Sequence, residues 1–161
     1  MQLVDTHLHL YAEEFHDDRK QVIDAAIQNG VTKMLLPNID SSTVYSMLQL
    51  CHDYPENCFP MMGLHPCYVK DDYQVVLNTI FDLFSKRKYC AVGEIGMDLY
   101  WDKTTKSWQE DAFIQQVEFA ISKHLPLAIH SRSATHELIQ LLKPFKGKVT
   151  GVFHCFSESA E

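Results

Sequence analysis

The chain of 161 residues lacks several features that would assign a function quickly. It has no apolar run long enough to cross a bilayer, which argues against a helical membrane protein. Its formal charge is −7, from 14 basic and 21 acidic side chains, so no overall positive field draws polyanions to it. A polyanionic substrate would need a local cationic site, made of basic side chains or bound metal. Cys51, Cys58, Cys67, Cys90 and Cys155 are odd in number and include no C-x-x-C pair. Neither a disulfide framework nor a zinc ribbon is indicated, and mostly buried thiols are expected. No Gly-rich phosphate fingerprint follows the first apolar segment, which weakens a dinucleotide-binding reading. No repeat, linker or low-complexity tract divides the chain, so one domain over residues 1–161 is expected. The start of the chain shows neither the basic segment nor the cleavage region of a signal peptide, and a cytoplasmic protein without membrane contact is the expectation.

What is present is an alternation. "LVDTHLHL" reads as a strand, and "DDRKQVIDAAIQNG" as an amphipathic helix stopped by Asn29-Gly30. "VTKMLLPN", "CFPMMGLHP", "YCAVGEIGMD", "LPLAIHSR" and "KVTGVFHCF" read as five further strands, the fourth strand of the chain running into a Gly-rich turn. Helical stretches separate them, and "SESAE" starts what could be another helix. Six βα-type units argue for an α/β fold with a parallel sheet buried on both faces. At this length an open doubly wound sheet is the first expectation, since a closed (β/α)₈ barrel usually needs about 250 residues.

The unusual polar residues stand at the strand ends. In "VDTHLHL", His7 and His9 are two residues apart, which on a strand puts both imidazoles on one face. Then come His65 in "GLHP", Glu94 in "GEIG", His130 in "IHSR" and His154 in "FHCF". The C-terminal ends of parallel strands share one side of the sheet, and in a barrel they converge. Imidazoles with a carboxylate suit zinc, manganese or iron, with magnesium less favoured because it prefers oxygen ligands. A carboxylate such as Glu94 can bridge two ions, and a two-metal site suits hydrolysis of a phosphate ester or an amide. Other readings stand beside this one. His65 before Pro66 is also a turn residue, Glu94 a solvated loop acid, and His154 a core residue or stray zinc ligand. Asp5 either orients an imidazole or bonds backbone amides. His16, His52, His124 and His136 are expected to be structural.

The segments "DTHLHL", "GLHP", "VGEIGMDLY", "LPLAIHSR" and "GVFHCFS", in that order from Val4 to Ser157, resemble the TatD-like metal-dependent deoxyribonucleases. The resemblance implies a (β/α) TIM-type barrel of the amidohydrolase kind, of which about six of eight units are present here. It implies that His7 and His9 hold a first divalent ion, Glu94 bridges, and His130 and His154 hold a second, the ions being zinc, manganese or magnesium. Glu94, His65 and Asp98 would be the catalytic positions, with His65 and Arg132 meeting the substrate. Arg132 could equally pair with a surface acid. The implied reaction is hydrolysis of phosphodiester bonds in DNA by a metal-activated water.

An amidohydrolase acting on a cyclic amide or lactone remains an alternative. Many of those bridge their metals with a carboxylated lysine, and here Glu94 takes that place with no lysine beside it. A metal-binding module without turnover is the non-enzyme alternative. The family's last strand normally supplies an aspartate to the first metal, and no residue here takes that role. Three explanations are open: a piece of a longer product, completion of the barrel by another chain, or a chain that folds alone as an opened sheet. The first and sixth strands are expected to be apolar edges without protecting lysine, bulge or proline.

Overall fold

The computed structural model describes residues 1–157. Strands β1 (Leu3–Asp5), β2 (Val31–Pro37), β3 (Cys58–Met61), β4 (Val92–Asp98), β5 (Leu127–Arg132) and β6 (Gly151–Phe153) alternate with helices. The helices are α1 (Arg19–Gln28), α2 (Val44–Asp53), α3 (Tyr73–Leu83), α4 (Lys106–Lys123) and α5 (Thr135–Leu142). All strand pairs are parallel, in the orders β1-β2-β3 and β4-β5-β6. A doubly wound sheet would reverse its order at a switch point. Here the order follows the chain without reversal, so the strands form an arc of a TIM-type barrel. That corrects the open-sheet expectation and agrees with the resemblance.

The seam between the two three-stranded sheets carries much of the architecture. A single parallel bridge, Met62 to Val92, joins them directly. Asn38, fully buried, sews the rest. Its backbone N–H donates to Met61 and Gly93 carbonyls, 3.2 Å each, and its carbonyl accepts the Glu94 N–H at 3.0 Å. Its Nδ2 donates to the Gly63 and Asp40 carbonyls, both at 2.9 Å. A buried amide so fully bonded rigidifies what it joins. Two apolar clusters lie behind the sheets, one around Ile23, Met34, Met47, Leu77 and Ile80, the other around Ile95, Phe113, Val117 and Leu138, and Phe84 packs against both.

Several expectations change in detail. The "LVDTHLHL" strand stops at Asp5, because among the described residues β1 has one neighbouring strand, β2, and three residues pair with it. The β1–β2 register shifts between Leu3 and Val4, where the extra residue, Thr32, belongs to β2, so the edge strand itself runs regularly. "GEIG" is no turn: β4 runs through both glycines to Asp98, with all seven residues buried. The glycines permit close approach. A Cβ on Gly93 would lie 2.7 Å from the Ala128 Cβ, and one on Gly96, at φ +141°, would lie 2.0 Å from the His130 carbonyl oxygen. Of the five free thiols, Cys51 and Cys58 are buried, Cys90 is half-buried, and Cys67 and Cys155 are exposed, so burial is less general than expected. Among the described residues no helix is long and apolar enough to cross a membrane. The helix expected from "SESAE" lies mostly outside the described residues.

Candidate metal centre

The strand ends converge on Glu94, which is 2 % exposed. Its two carboxylate oxygens face different residues. Oε2 meets His7 Nε2 at 3.1 Å and His9 Nε2 at 3.4 Å. Oε1 meets His130 Nδ1 at 3.1 Å, His65 Nε2 at 3.6 Å and His154 Nε2 more closely. The solvated-acid reading of Glu94 is therefore wrong, and among the described residues its charged partners are all imidazoles. Burial opposes its ionisation, but His130, His154, His7 and His9 outweigh that and hold the carboxyl far below its ordinary range.

The hydrogen bonds behind each imidazole distinguish them. Tyr11 Oη donates to the Pro37 carbonyl and lies 2.8 Å from His9 Nδ1, so Nδ1 carries a proton and Nε2 is the nitrogen left facing Glu94. His65 is the reverse. Its Nδ1 accepts the Cys67 backbone N–H at 3.1 Å, which leaves the proton on Nε2. Burial pushes its pKa down to about 4, against the pull of Glu94, so it is a neutral N–H donor at pH 7. His65 is thus a turn residue and a member of the cluster at once. His130 touches two carboxylates, Glu94 through Nδ1 and Asp98 Oδ2 through Nε2 at 3.0 Å. Burial lowers its pKa, yet the bonds to Glu94 and Asp98 prevail and raise it.

Geometrically, His7, His9 and Glu94 form one candidate ligand group, and His65, Glu94 and His130 another. His154 reaches the same carboxylate and stacks on His7, ring centres 3.8 Å apart. The residues fit metal. Among the described residues, His154 Nε2 and His7 Nδ1 are buried without a hydrogen-bond partner, although His154 Nε2 faces Glu94 Oε1. A nitrogen so placed against a carboxylate needs a proton or a cation between them.

Three residues that sequence reasoning passed over position the site. Tyr11 sets the His9 tautomer. Gln109 and Gln116 on α4, both buried, clamp backbone at two strand ends. Gln109 Oε1 accepts the Asp98 N–H at 2.9 Å and its Nε2 donates to the Asp98 carbonyl at 3.2 Å. Gln116 does the same for Leu64, at 2.7 and 3.3 Å, fixing the residue before His65. Their only signal in the sequence is a pair of glutamines seven apart on the inward stripe of an amphipathic helix.

Asp5 accepts the His7 backbone N–H at 3.1 Å and is exposed, so it bonds backbone rather than an imidazole ring. His16, His52, His124 and His136 are exposed and lie outside the cluster. Arg132 is exposed and lies over the Tyr100 ring. A cleft of about 270 Å³ lined by His9, Ile39, His65, Cys67, Tyr68 and Glu94 opens onto the centre. A larger one, about 410 Å³, is lined by α1 and α2 residues such as Arg19 and Tyr45 and contains none of the clustered groups.

Residues 4–161 match the family described as TatD related DNase. The chain belongs to the TatD-related DNase family. It is 34 % identical over 160 residues to a Bacillus subtilis relative named uncharacterized metal-dependent hydrolase YabD, covering 99 % of this chain and 62 % of that protein. It is 30 % identical over 160 residues to the Dickeya dadantii protein named 3′-5′ ssDNA/RNA exonuclease TatD, covering 99 % and 61 %. The crystal structure of YJJV, a TatD homolog from Escherichia coli, superposes with a TM-score of 0.89 at 31 % identity, over 98 % of this chain and 61 % of that one. This TatD-family chain therefore spans about three fifths of the length of the relatives it matches.

Proposed function

We propose that the centre holds two divalent ions, zinc, manganese or magnesium, and hydrolyses phosphodiester bonds in DNA. The observation that carries this reading is one buried carboxylate meeting five imidazoles through two separately directed oxygens. His7 Nε2, His9 Nε2 and Glu94 Oε2 would hold one ion. Glu94 Oε1, His130 Nδ1 and His154 Nε2 would hold the other. Bound ions neutralise phosphate charge and lower the pKa of water from about 16 toward 7.

The remaining residues divide the rest of the work. His65, with its proton on Nε2, donates a hydrogen bond to a phosphate oxygen and stays neutral while doing so. A lone pair is what a ligand needs and an N–H is what an anion needs, so His65 belongs with the substrate, apart from the metal ligands. Asp98 holds His130 by its far nitrogen and so fixes which nitrogen faces Glu94. It acts as a positioning residue. The likeness to relatives named ssDNA/RNA exonuclease supports nucleic acid as substrate.

Equilibration with manganese or zinc, removal of loose ions and a count per chain tests the reading, followed by assay on labelled single-stranded DNA. About two ions per chain and cleavage abolished by chelation are expected. Absence of bound metal, or cleavage indifferent to it, would overturn it.

A further inference from the structure

We propose that Tyr100, Trp101 and Arg132 form a platform on the rim of the metal centre that stacks an unpaired nucleobase of a single-stranded nucleic acid and holds its phosphate. The inference rests on reading the centre as a phosphodiester hydrolase.

Beyond β4 the chain buries Leu99 and then turns two large aromatics outward, Tyr100 58 % and Trp101 69 % exposed. Aromatic rings are the side chains that gain most from burial, about 150–250 Å² each, so two neighbours left in solvent call for an explanation. Their backbone is firmly held. Asp98 Oδ1 accepts the N–H of Tyr100 at 3.0 Å and of Trp101 at 3.1 Å. The other oxygen of the same carboxylate bonds His130, so platform and metal centre share one anchor. Asp98 is itself clamped by Gln109. A rigid backbone presenting rings to solvent is already organised for binding, which lowers the ordering cost of association.

The third member arrives from the neighbouring strand. Arg132 pairs with Asp98 in the β4–β5 register, and the Leu99 N–H donates to its carbonyl at 2.9 Å. Its guanidinium lies 4.0 Å from the Tyr100 ring centre and 5.1 Å from that of Trp101. Among the described residues it forms no ion pair, so its charge is not neutralised by a neighbouring acid. The Tyr100 and Trp101 rings stand nearly perpendicular, at 86°. The guanidinium lies over both rings, nearer to tyrosine, and the more exposed indole supplies the stacking face. A π-face beside a planar cation is the combination that binds single strands, base on ring and phosphate on guanidinium. A base inside a duplex has no free face to offer, so the platform selects unpaired ends. An acidic protein can hold such a strand only through local cations, and Arg132 is one placed beside the centre.

The chain has two tryptophans, Trp101 and Trp108, so Trp108→Phe leaves Trp101 as the sole indole. Titration of that variant with a short oligothymidylate in EDTA reads stacking through indole fluorescence without cleavage. Saturable quenching is expected, with an abasic strand of the same length binding about tenfold more weakly. By anisotropy of a labelled strand, Trp101→Ala weakens binding about tenfold and Trp101→Phe largely restores it. Arg132→Ala weakens binding of thymidylate and abasic strands alike and lowers the salt slope by about 0.7. Equal affinity for the abasic strand, or unchanged affinity in Trp101→Ala, would overturn the platform. Metal-dependent cleavage without base discrimination would remove the platform alone. Base discrimination without any metal-dependent cleavage would keep the platform and remove the hydrolase reading.

Discussion

Strands β1 and β4 both deliver groups to the same carboxylate cluster, yet they are built in opposite ways. All seven residues of β4 are buried, and Glu94 sits within the strand, fixed by neighbours on both sides. All three residues of β1 are exposed, Leu3 to 39 % and Val4 to 56 %, and His7 and His9 lie past its end. The inner strand holds its functional group by packing. The segment after the edge strand holds its groups by scattered hydrogen bonds, the His7 backbone to Asp5 and its ring to Glu94, the Leu8 N–H to the Leu35 carbonyl, and the His9 ring to Tyr11. The carboxylate is thus the rigid half of the centre, and the first imidazole pair is the half most dependent on what surrounds the edge.

Substitutions should separate the two halves, and the largest effect belongs to the inner strand. Glu94→Gln keeps the shape and removes the charge that both proposed ions share. Ion counting should fall from two to none, with affinity lost by more than the ~100-fold that outlying partners of a ligand usually cost. Activity on single-stranded DNA should vanish with it. His130→Ala and His7→Ala sharpen the contrast in the metal-free chain. His130 lies between two buried carboxylates, and its loss should cost about 3 kcal/mol in urea denaturation. His7→Ala, at the edge, should cost under about 1 kcal/mol while reducing the ion count to one. Equal costs would mean that the edge is as firmly built as the interior.

A pH series on the metal-free chain tests the two imidazoles across Glu94. His65 titrates near 4 when folded against 6.5 unfolded, so the folded chain binds fewer protons there. Its contribution is intact above 6.5 and turns into a penalty of up to about 3 kcal/mol as pH falls toward 4. His130, raised above 6.5, behaves oppositely: its stabilisation is full below 6.5 and is lost as pH rises through its folded value. His65→Asn should flatten the acid limb of stability against pH, and His130→Gln the limb above 6.5. Gln116→Ala, which leaves the buried Leu64 N–H without its acceptor, should cost about 1–3 kcal/mol. The smallest effect is expected at the edges: Val4→Lys and Val152→Lys should improve solubility with stability unchanged within about 0.5 kcal/mol.

Much of this was legible in the chain because period and position are local properties. The alternation of apolar runs with amphipathic stretches announces the strands and helices, and the polar residues ending each run announce the convergence. What escaped depends on contacts between distant segments. The length of β1 follows from having one neighbouring strand among the described residues, which no local pattern records. "GEIG" reads as a turn because two glycines usually mean one, whereas here they admit Ala128 and His130 of the next strand. The His9 and His65 tautomers are dictated by Tyr11 and by the Cys67 amide, neither of which carries a motif. No local pattern tells that Tyr100 and Trp101 face outward; the Asp98 turn does.

Gln109 and Gln116 give α4 a further property. Seven residues of helix measure about 10.5 Å, a length that a hydrogen-bonded helix hardly changes. Each glutamine grips the main chain of a different strand end, so the helix acts as a gauge block between the Leu64 and Asp98 turns. Distances across the centre are thereby calibrated from behind the sheet. A residue inserted between the two glutamines would miscalibrate the centre without touching any group that faces it, while an insertion before Thr105 would leave the calibration intact.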